Sequence, residues 1–112
     1  MVQDCLFCKI IRGEIPSDKV FENEKVIAFK DINPAAPQHI LVVPKEHKAS
    51  LNEYDDSDKE ILGELLLRVK NIAGELGLSN YRTVINTGRE ACQSVFHLHL
   101  HLIAGRELKW VH

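Results

Sequence analysis

The chain has 112 residues, 45% of them hydrophobic, enough for one core and too few for two. Its 14 basic and 16 acidic residues leave a net charge of −2 with histidine neutral, which argues against a strongly basic nucleic-acid-binding face. With 27% charged residues and no low-complexity tract, disorder is also a poor reading. No apolar run approaches the roughly 20 residues that span a bilayer. Met1-Val2-Gln3-Asp4-Cys5 has neither a basic n-region nor an apolar h-region, so no secretory signal is expected. Three cysteines is an odd count, and Cys5 and Cys8 form a Cys-x-x-Cys pair. That pattern favours thiols or metal ligation over a disulfide framework, in a cytoplasmic protein without nucleic-acid or membrane partners.

Over residues 5–12, Leu6, Phe7, Ile10 and Ile11 mark a short helical stripe that Gly13 and Pro16 end. Val20-Phe21 and Val26 to Phe29 flank the polar Glu22–Lys25 turn of a hairpin. Asp31 to Pro37 reads as a loop because of its two prolines, and His39 to Val43 as a third strand closed by Pro44. The clearest helix starts at Ser57, with Glu60 completing a capping box. Leu62, Leu65, Leu66, Val69, Ile72, Ala73 and Leu76 form its buried face, and Gly77 suits its left-handed end. Tyr81 to Asn86 is a fourth strand and Val95 to Ile103 a fifth. The expected fold is α+β, one domain over residues 1–112: a five-stranded antiparallel sheet, one long helix and a short N-terminal helix.

In the last strand Phe96, Leu98, Leu100 and Leu102 alternate with His97, His99 and His101. Strand side chains alternate faces, so the apolar set is expected on the long helix. The histidines then share the other face at spacings of roughly 6.5–7 Å. Three imidazoles on one face are hard to attribute to packing. They suit either phosphoryl chemistry or a three-histidine metal site.

The run Gln93 to Ile103, with Phe96-His97-Leu98-His99-Leu100-His101-Leu102 at its centre, resembles the signature of the histidine triad family of nucleotide-binding hydrolases and transferases. The likeness covers nearly the whole chain. Cys5 to Ile11 with Gly13-Glu14-Ile15-Pro16 is similar to the family's N-terminal segment. Asp31 to Pro34, Ala36 to His39 and Val43 to His47 are similar to its middle. The ending Ala104-Gly105-Arg106 with Trp110 resembles the Hint branch of nucleoside phosphoramidases. Dinucleoside polyphosphate hydrolases of the fragile-histidine-triad type usually carry a proline where Ala104 or Gly105 stands.

A neutral imidazole is a competent nucleophile near pH 7, and a covalent intermediate divides one hard displacement into two easier ones. The resemblance implies that His99 becomes nucleotidylated, that His101 contacts the α-phosphate and leaving group, and that His39 supports the site. It also implies that Phe7, Ile10, Phe29, Ile32 and Leu41 sandwich a purine while Asp31 holds the ribose hydroxyls. Asn86, Ser94 and the backbone N–H groups near Gln93 would reach the phosphate. Taken singly, the apolar residues suit a plain core, Asp31 a turn, and residues 86–94 an ordinary connection. Ala91-Cys92 departs from the family, where glycines are usual, and Cys92 reads more readily as a bland substitution than as a further reactive thiol.

Cys5-x-x-Cys8 reads as a redox pair lacking its βαβ context, as unconnected thiols, or as half of a zinc site. The resemblance implies that His47 and His97 complete a structural Cys₂His₂ site with one zinc per chain. It also implies a homodimer paired through the long helix and the strand after it, to which Leu67 and Trp110 would add apolar surface. His112 has no assigned role and is expected in solvent. The function expected is hydrolysis of a purine nucleoside 5′-phosphoramidate or related nucleotide through nucleotidyl-His99. A dinucleoside polyphosphate hydrolase and a zinc-containing nucleotide-binding regulatory module with little turnover are the alternatives.

Overall fold

The computed structural model describes residues 4–110, so the reading of Met1–Gln3 and the placement of His112 lie outside the described residues. Elements follow in the order α1 (Leu6–Ile11), β1 (Lys19–Glu22), β2 (Val26–Lys30), β3 (Gln38–Pro44), α2 (Lys59–Glu75), β4 (Arg82–Val84) and β5 (Leu100–Ala104). The strands form one sheet in the order β1-β2-β3-β5-β4, every neighbouring pair antiparallel. This is the expected α+β architecture. No helix among the described residues is long and apolar enough to cross a membrane.

Alternation along β2 and β3 sorts the core into two clusters. Val26, Ala28, Ile40 and Val42 pack with Leu98, Leu100, Leu102 and the α2 residues Leu65, Val69, Ile72 and Ala73. Ile27, Phe29, Leu41 and Val43 pack with Cys5, Phe7, Cys8 and Ile10 of the α1 segment. The sheet therefore has a helix on each face, and β3, flanked by β2 and β5, lies at its centre.

The structure corrects four expectations. The fifth strand begins at Leu100, not Val95. In the β3–β5 register, with Val42 opposite Leu100, the pairs would continue as Val43 with His99 and then Pro44 with Leu98. Pro44 has no N–H to donate, and the Leu98 N–H instead donates to the Lys48 carbonyl at 2.8 Å. The approach to β5 is therefore irregular, and Phe96 is 46% exposed while Leu98, Leu100 and Leu102 are buried.

Secondly, Ser57 is not the helix cap. The Asp55 carboxylate accepts from the Ser57 N–H, and the Asp58 carboxylate reaches back to the Asp55 N–H at 3.0 Å. This capping box opens a 3₁₀ turn at Asp56–Asp58 that leads into α2. Thirdly, Leu66 (52% exposed) and Leu76 lie off the buried stripe, which Leu65, Val69, Ile72 and Ala73 form against the sheet. Fourthly, the strand expected over 81–86 is Arg82–Val84. The far end of α2 behaves as expected: Gly77 has φ +72°, its N–H donates to Gly74, and the Leu78 N–H donates to Ala73, a Schellman closure.

Gly105 follows β5 with φ +101°, and a Cβ there would lie 2.9 Å from the Pro37 Cβ. This close approach, with Arg106 Nη2 donating to the Ala35 carbonyl at 3.0 Å, pins the loop that precedes His39.

Candidate functional site

Backbone hydrogen bonds decide the tautomers of His97, His99 and His39 on the α1 face, because a carbonyl oxygen only accepts and an amide N–H only donates, and His39 in turn decides that of His101. His97 is fully buried, and its Nε2–H donates to the Pro44 carbonyl at 2.7 Å, which leaves Nδ1 with a lone pair. His99 donates Nδ1–H to the His97 carbonyl at 2.8 Å, which leaves Nε2 as a bare lone pair. His39 accepts the Ala35 N–H on Nδ1 at 2.9 Å, so its Nε2 carries a proton. That proton is donated to His101 Nδ1 at 2.9 Å, with the Asp31 carboxylate 3.4 Å away as a weaker partner. His101 therefore carries its own proton on Nε2, a buried atom without a hydrogen-bond partner among the described residues. A lone pair on His99 and an N–H on His101 thus belong to rings with centroids 4.9 Å apart.

Burial pushes the His101 imidazole down to about 4, helped by the neighbouring His99 and His39, and burial likewise holds His99 below the ordinary imidazole range. Both rings are neutral at pH 7. The unfolded chain takes up these protons near pH 6.5, whereas folded His101 resists to about 4. Between those limits the unfolded state binds more protons, so stability falls as pH falls. The melting temperature is expected to be level above pH 6.5 and to decline toward pH 4, less steeply in His101→Gln. An equally steep decline in that variant would remove His101 as the cause.

Both rings line a cavity of about 240 Å³ between α1, β2 and the 31–33 loop. Of the expected nucleotide contacts, Phe7, Ile10, Phe29, Asp31, Leu41 and Ser94 line it, as does Ile32, which is 88% exposed. Asn86 and Gln93 do not line it. The buried Gln93 amide accepts from the Gly88 N–H and donates to the Ala49 and Val95 carbonyls, and its own N–H donates to Gly88. Gln93 braces the loop. Leu6, Ile15, Pro16, Ser17, Lys30, Asn33 and Val95 also line the cavity, none of them expected as a site residue. The Ile15-Pro16 step after the helix-ending Gly13 was the available signal, since the chain must turn back there. A cavity of about 290 Å³ beside Lys45 and Tyr54 carries neither imidazole nor thiol, and one of about 430 Å³ opens on Cys5 and His47, while the 240 Å³ cavity holds His99 and His101 together.

The donors of Cys5, Cys8, His47 and His97 all lie within 4.8 Å of one another and can hold a metal ion. Cys5 caps α1, placing both thiols on its first turn. Cys5 Sγ is 3.4 Å from His97 Nδ1, and Cys8 Sγ is 3.3 Å from His47 Nδ1 and 3.6 Å from His97 Nδ1. The two Nδ1 atoms are 3.2 Å apart. A tetrahedral ion with sulfur at about 2.3 Å and nitrogen at about 2.0–2.1 Å sets sulfur–nitrogen gaps of about 3.5 Å and a nitrogen–nitrogen gap of about 3.3 Å. The donor set fits. Asp31, His39 and His101 also cluster, but the Ala35 N–H holds His39 in the tautomer whose Nε2 is protonated and has no lone pair to give.

The family model described as "Scavenger mRNA decapping enzyme C-term binding" matches residues 4–109. A HIT family hydrolase from Legionella pneumophila Philadelphia 1 superposes with a TM-score of 0.94 at 48% identity, covering 96% of this chain and 97% of that one. The chain belongs to the histidine triad family. Within it, the chain is 50% identical to the 14 kDa zinc-binding protein of Zea mays over 94% of this chain and 84% of that protein. It is 47% identical to the adenylylsulfatase HINT1 of Arabidopsis thaliana over 94% of this chain and 74% of that protein.

The departure from the usual histidine triad glycines is visible in the backbone. Cys92, exposed after the 3₁₀ turn Arg89–Ala91, has φ 70° and ψ 23° and is the one non-glycine residue at positive φ among those described. A left-handed L-residue costs roughly 1–2 kcal/mol, part of which glycine's extra chain entropy offsets. Cys92→Gly is expected to raise stability by up to about 1 kcal/mol, a few degrees of melting temperature. A fall in melting temperature would show that the thiol makes a compensating contact.

Proposed function

We propose that this chain hydrolyses purine nucleoside 5′-phosphoramidates or related nucleotides through a nucleotidyl-His99 intermediate. The observation that carries the reading is the His99 tautomer, with Nδ1–H held by a backbone carbonyl and Nε2 bare beside the cavity. In the first step the Nε2 lone pair forms a bond to the α-phosphorus as the P–N bond to the leaving amine breaks. The amine departs with that electron pair and takes a proton from solvent. The ring becomes an N-phosphoryl imidazolium, whose charge the Nδ1–H bond to the His97 carbonyl spreads. His101, neutral at working pH, acts as a hydrogen-bond donor to the phosphoryl oxygens through Nε2–H. In the second step water bonds to phosphorus, gives its proton to solvent, and His99 regains its lone pair.

The cavity supports the nucleoside end of the reading. Phe7, Ile10, Phe29 and Leu41 offer apolar walls, and Asp31 offers a carboxylate for vicinal ribose hydroxyls. One Asp31 oxygen accepts the Asn33 N–H at 2.9 Å, which holds that carboxylate in place. The Arabidopsis relative's name, adenylylsulfatase, favours including adenylyl sulfate among the substrates, since the same attack would release sulfate in place of an amine.

We further propose one zinc per chain at Cys5, Cys8, His47 and His97, and a homodimer. β4 forms one edge of the sheet, and Leu66, Leu67 and Trp110 are exposed. Sedimentation at micromolar concentration is expected to give twice the 12.7 kDa chain mass. A mass near 12.7 kDa would contradict the dimer.

Turnover of adenosine 5′-phosphoramidate, adenylyl sulfate and diadenosine tetraphosphate tests the substrate class. The phosphoramidate is expected to give a kcat/KM at least tenfold above that of diadenosine tetraphosphate. The reverse order would assign the chain to the dinucleoside polyphosphate hydrolases. Tight AMP binding with no turnover of any of the three would make it a binding module.

A further inference from the structure

Two structural routes run from the metal-binding cluster to the nucleophile. The first passes through α1. This helix has six residues, too few to be stable alone. Its first turn carries Cys5 and Cys8, and Phe7 stands between them. Phe7 is buried and meets His99 edge-on, with ring centroids 5.0 Å apart at 89°, and it packs on Phe29 at 5.5 Å. Phe7 and Ile10 also line the nucleotide cavity. The second route passes through His97. Its Nδ1 faces the two thiols, and its carbonyl takes the Nδ1–H of His99 at 2.8 Å. His47 joins the cluster from the segment after β3, so the four donors tie α1, that segment and the approach to β5 together.

We propose that the Cys5–Cys8–His47–His97 cluster, once loaded with metal, is a positioning device for catalysis: it holds Phe7 against the His99 ring and the His97 carbonyl against His99 Nδ1, so metal occupancy governs nucleotide affinity and the nucleophile's order. This rests on the zinc reading above and goes beyond a purely structural ion. The sheet contacts of β2, β3, β5 and α2 form a separate apolar cluster on the opposite face. Losing the metal therefore frees α1 and His97 first, while that cluster persists. Coupling between two sites is reciprocal, so AMP must tighten metal binding by the factor by which metal tightens AMP binding.

The test compares zinc-loaded, chelated and zinc-reloaded protein by three readouts that do not depend on turnover. These are AMP affinity by calorimetry, amide exchange across residues 6–11, and the His99 Nδ1–H resonance. On chelation AMP affinity is expected to fall at least tenfold, exchange over α1 to rise at least a hundredfold, and the His99 signal to broaden or vanish. Exchange in β2, β3 and β5 should change far less, and zinc should restore all three readouts. Unchanged AMP affinity with an unchanged His99 signal would overturn the coupling while leaving the hydrolase reading intact. Protein purified without chelators that carries no metal and takes up none would overturn the zinc reading and this proposal with it.

If chelation unfolds the sheet, cobalt(II) in place of zinc supplies a folded-state readout. AMP is expected to shift its ligand-field bands, because His97 and α1 are shared between the sites. Bands indifferent to saturating AMP would overturn the proposal. Failure of the hydrolase reading would instead show as absent turnover in fully loaded protein that binds AMP.

Discussion

His99→Ala is expected to reduce turnover by roughly 10⁴-fold or more while AMP affinity stays within about tenfold of the parent. The asymmetry follows from where the contacts lie. The apolar walls and Asp31 are contributed by α1, β2, β3 and the 31–33 loop, and the bare lone pair by His99 alone. His97 cannot substitute as nucleophile, since its Nε2–H is held by the Pro44 carbonyl and its Nδ1 faces the thiols. His101 cannot substitute either, because its Nδ1 lone pair already accepts from His39. Losing the His101 donor removes one hydrogen bond to the developing charge, so His101→Ala is expected to cost about 10²–10³-fold. Rapid quenching with nucleotide-labelled substrate should trap the label on His99. Label on another residue, or near-normal turnover in the His99 variant, would end this mechanism.

Metal analysis of protein purified without chelators is expected to find one zinc per chain, and its removal is expected to be the largest single loss of stability. Structural zinc in small peptides contributes about 10–16 kcal/mol of apparent binding energy. Even about 3 kcal/mol of that, in a chain of this size, moves the melting temperature by roughly 10 °C or more. Cys8→Ser should lose both the metal and the stability, because Cys8 Sγ lies within 3.6 Å of both imidazole donors. Cys92→Ser, whose thiol is exposed and outside the cluster, should lose neither. Less than about a tenth of an equivalent of zinc with both thiols reduced would leave Cys5 and Cys8 as unconnected thiols. A Cys5–Cys8 disulfide in freshly purified protein would favour the redox pair.

Local chemistry alone determined much of this molecule. The polar Glu22–Lys25 turn between two apolar runs was enough to place the β1–β2 hairpin, and the three- and four-residue recurrence from Leu62 to Ala73 was enough for α2. Gly77 ended that helix because the last carbonyls need donors from a left-handed turn, a requirement met within five residues of chain. The alternation of leucine and histidine also matched the observed faces over Leu100 to Leu102, where β5 is regular and both leucines are buried against α2.

Elsewhere the deciding partner lies far along the chain, and no local pattern contains it. Whether the alternation continued back to Phe96 depended on Pro44, which cannot donate to the ladder opposite Leu98. The cap ahead of α2 is the exception, because the reciprocal Asp55–Asp58 box spans four consecutive residues, and it caps the 3₁₀ turn that leads into the helix. Leu66 fits the helical period as well as Leu65 does, but Leu65 packs with Val69, Ile72 and Ala73 into the sheet-facing cluster while Leu66 is exposed. The same holds for the chemistry. Three histidines in one motif look equivalent in sequence, yet a carbonyl 53 residues from His97, a carbonyl two residues from His99 and a histidine 62 residues from His101 give each ring a different free nitrogen. Residue types and spacing determined that imidazoles would gather here; the direction of each hydrogen bond decided which nitrogen is left free, and for His97 and His101 that bond exists only once β3 lies beside the β5 segment.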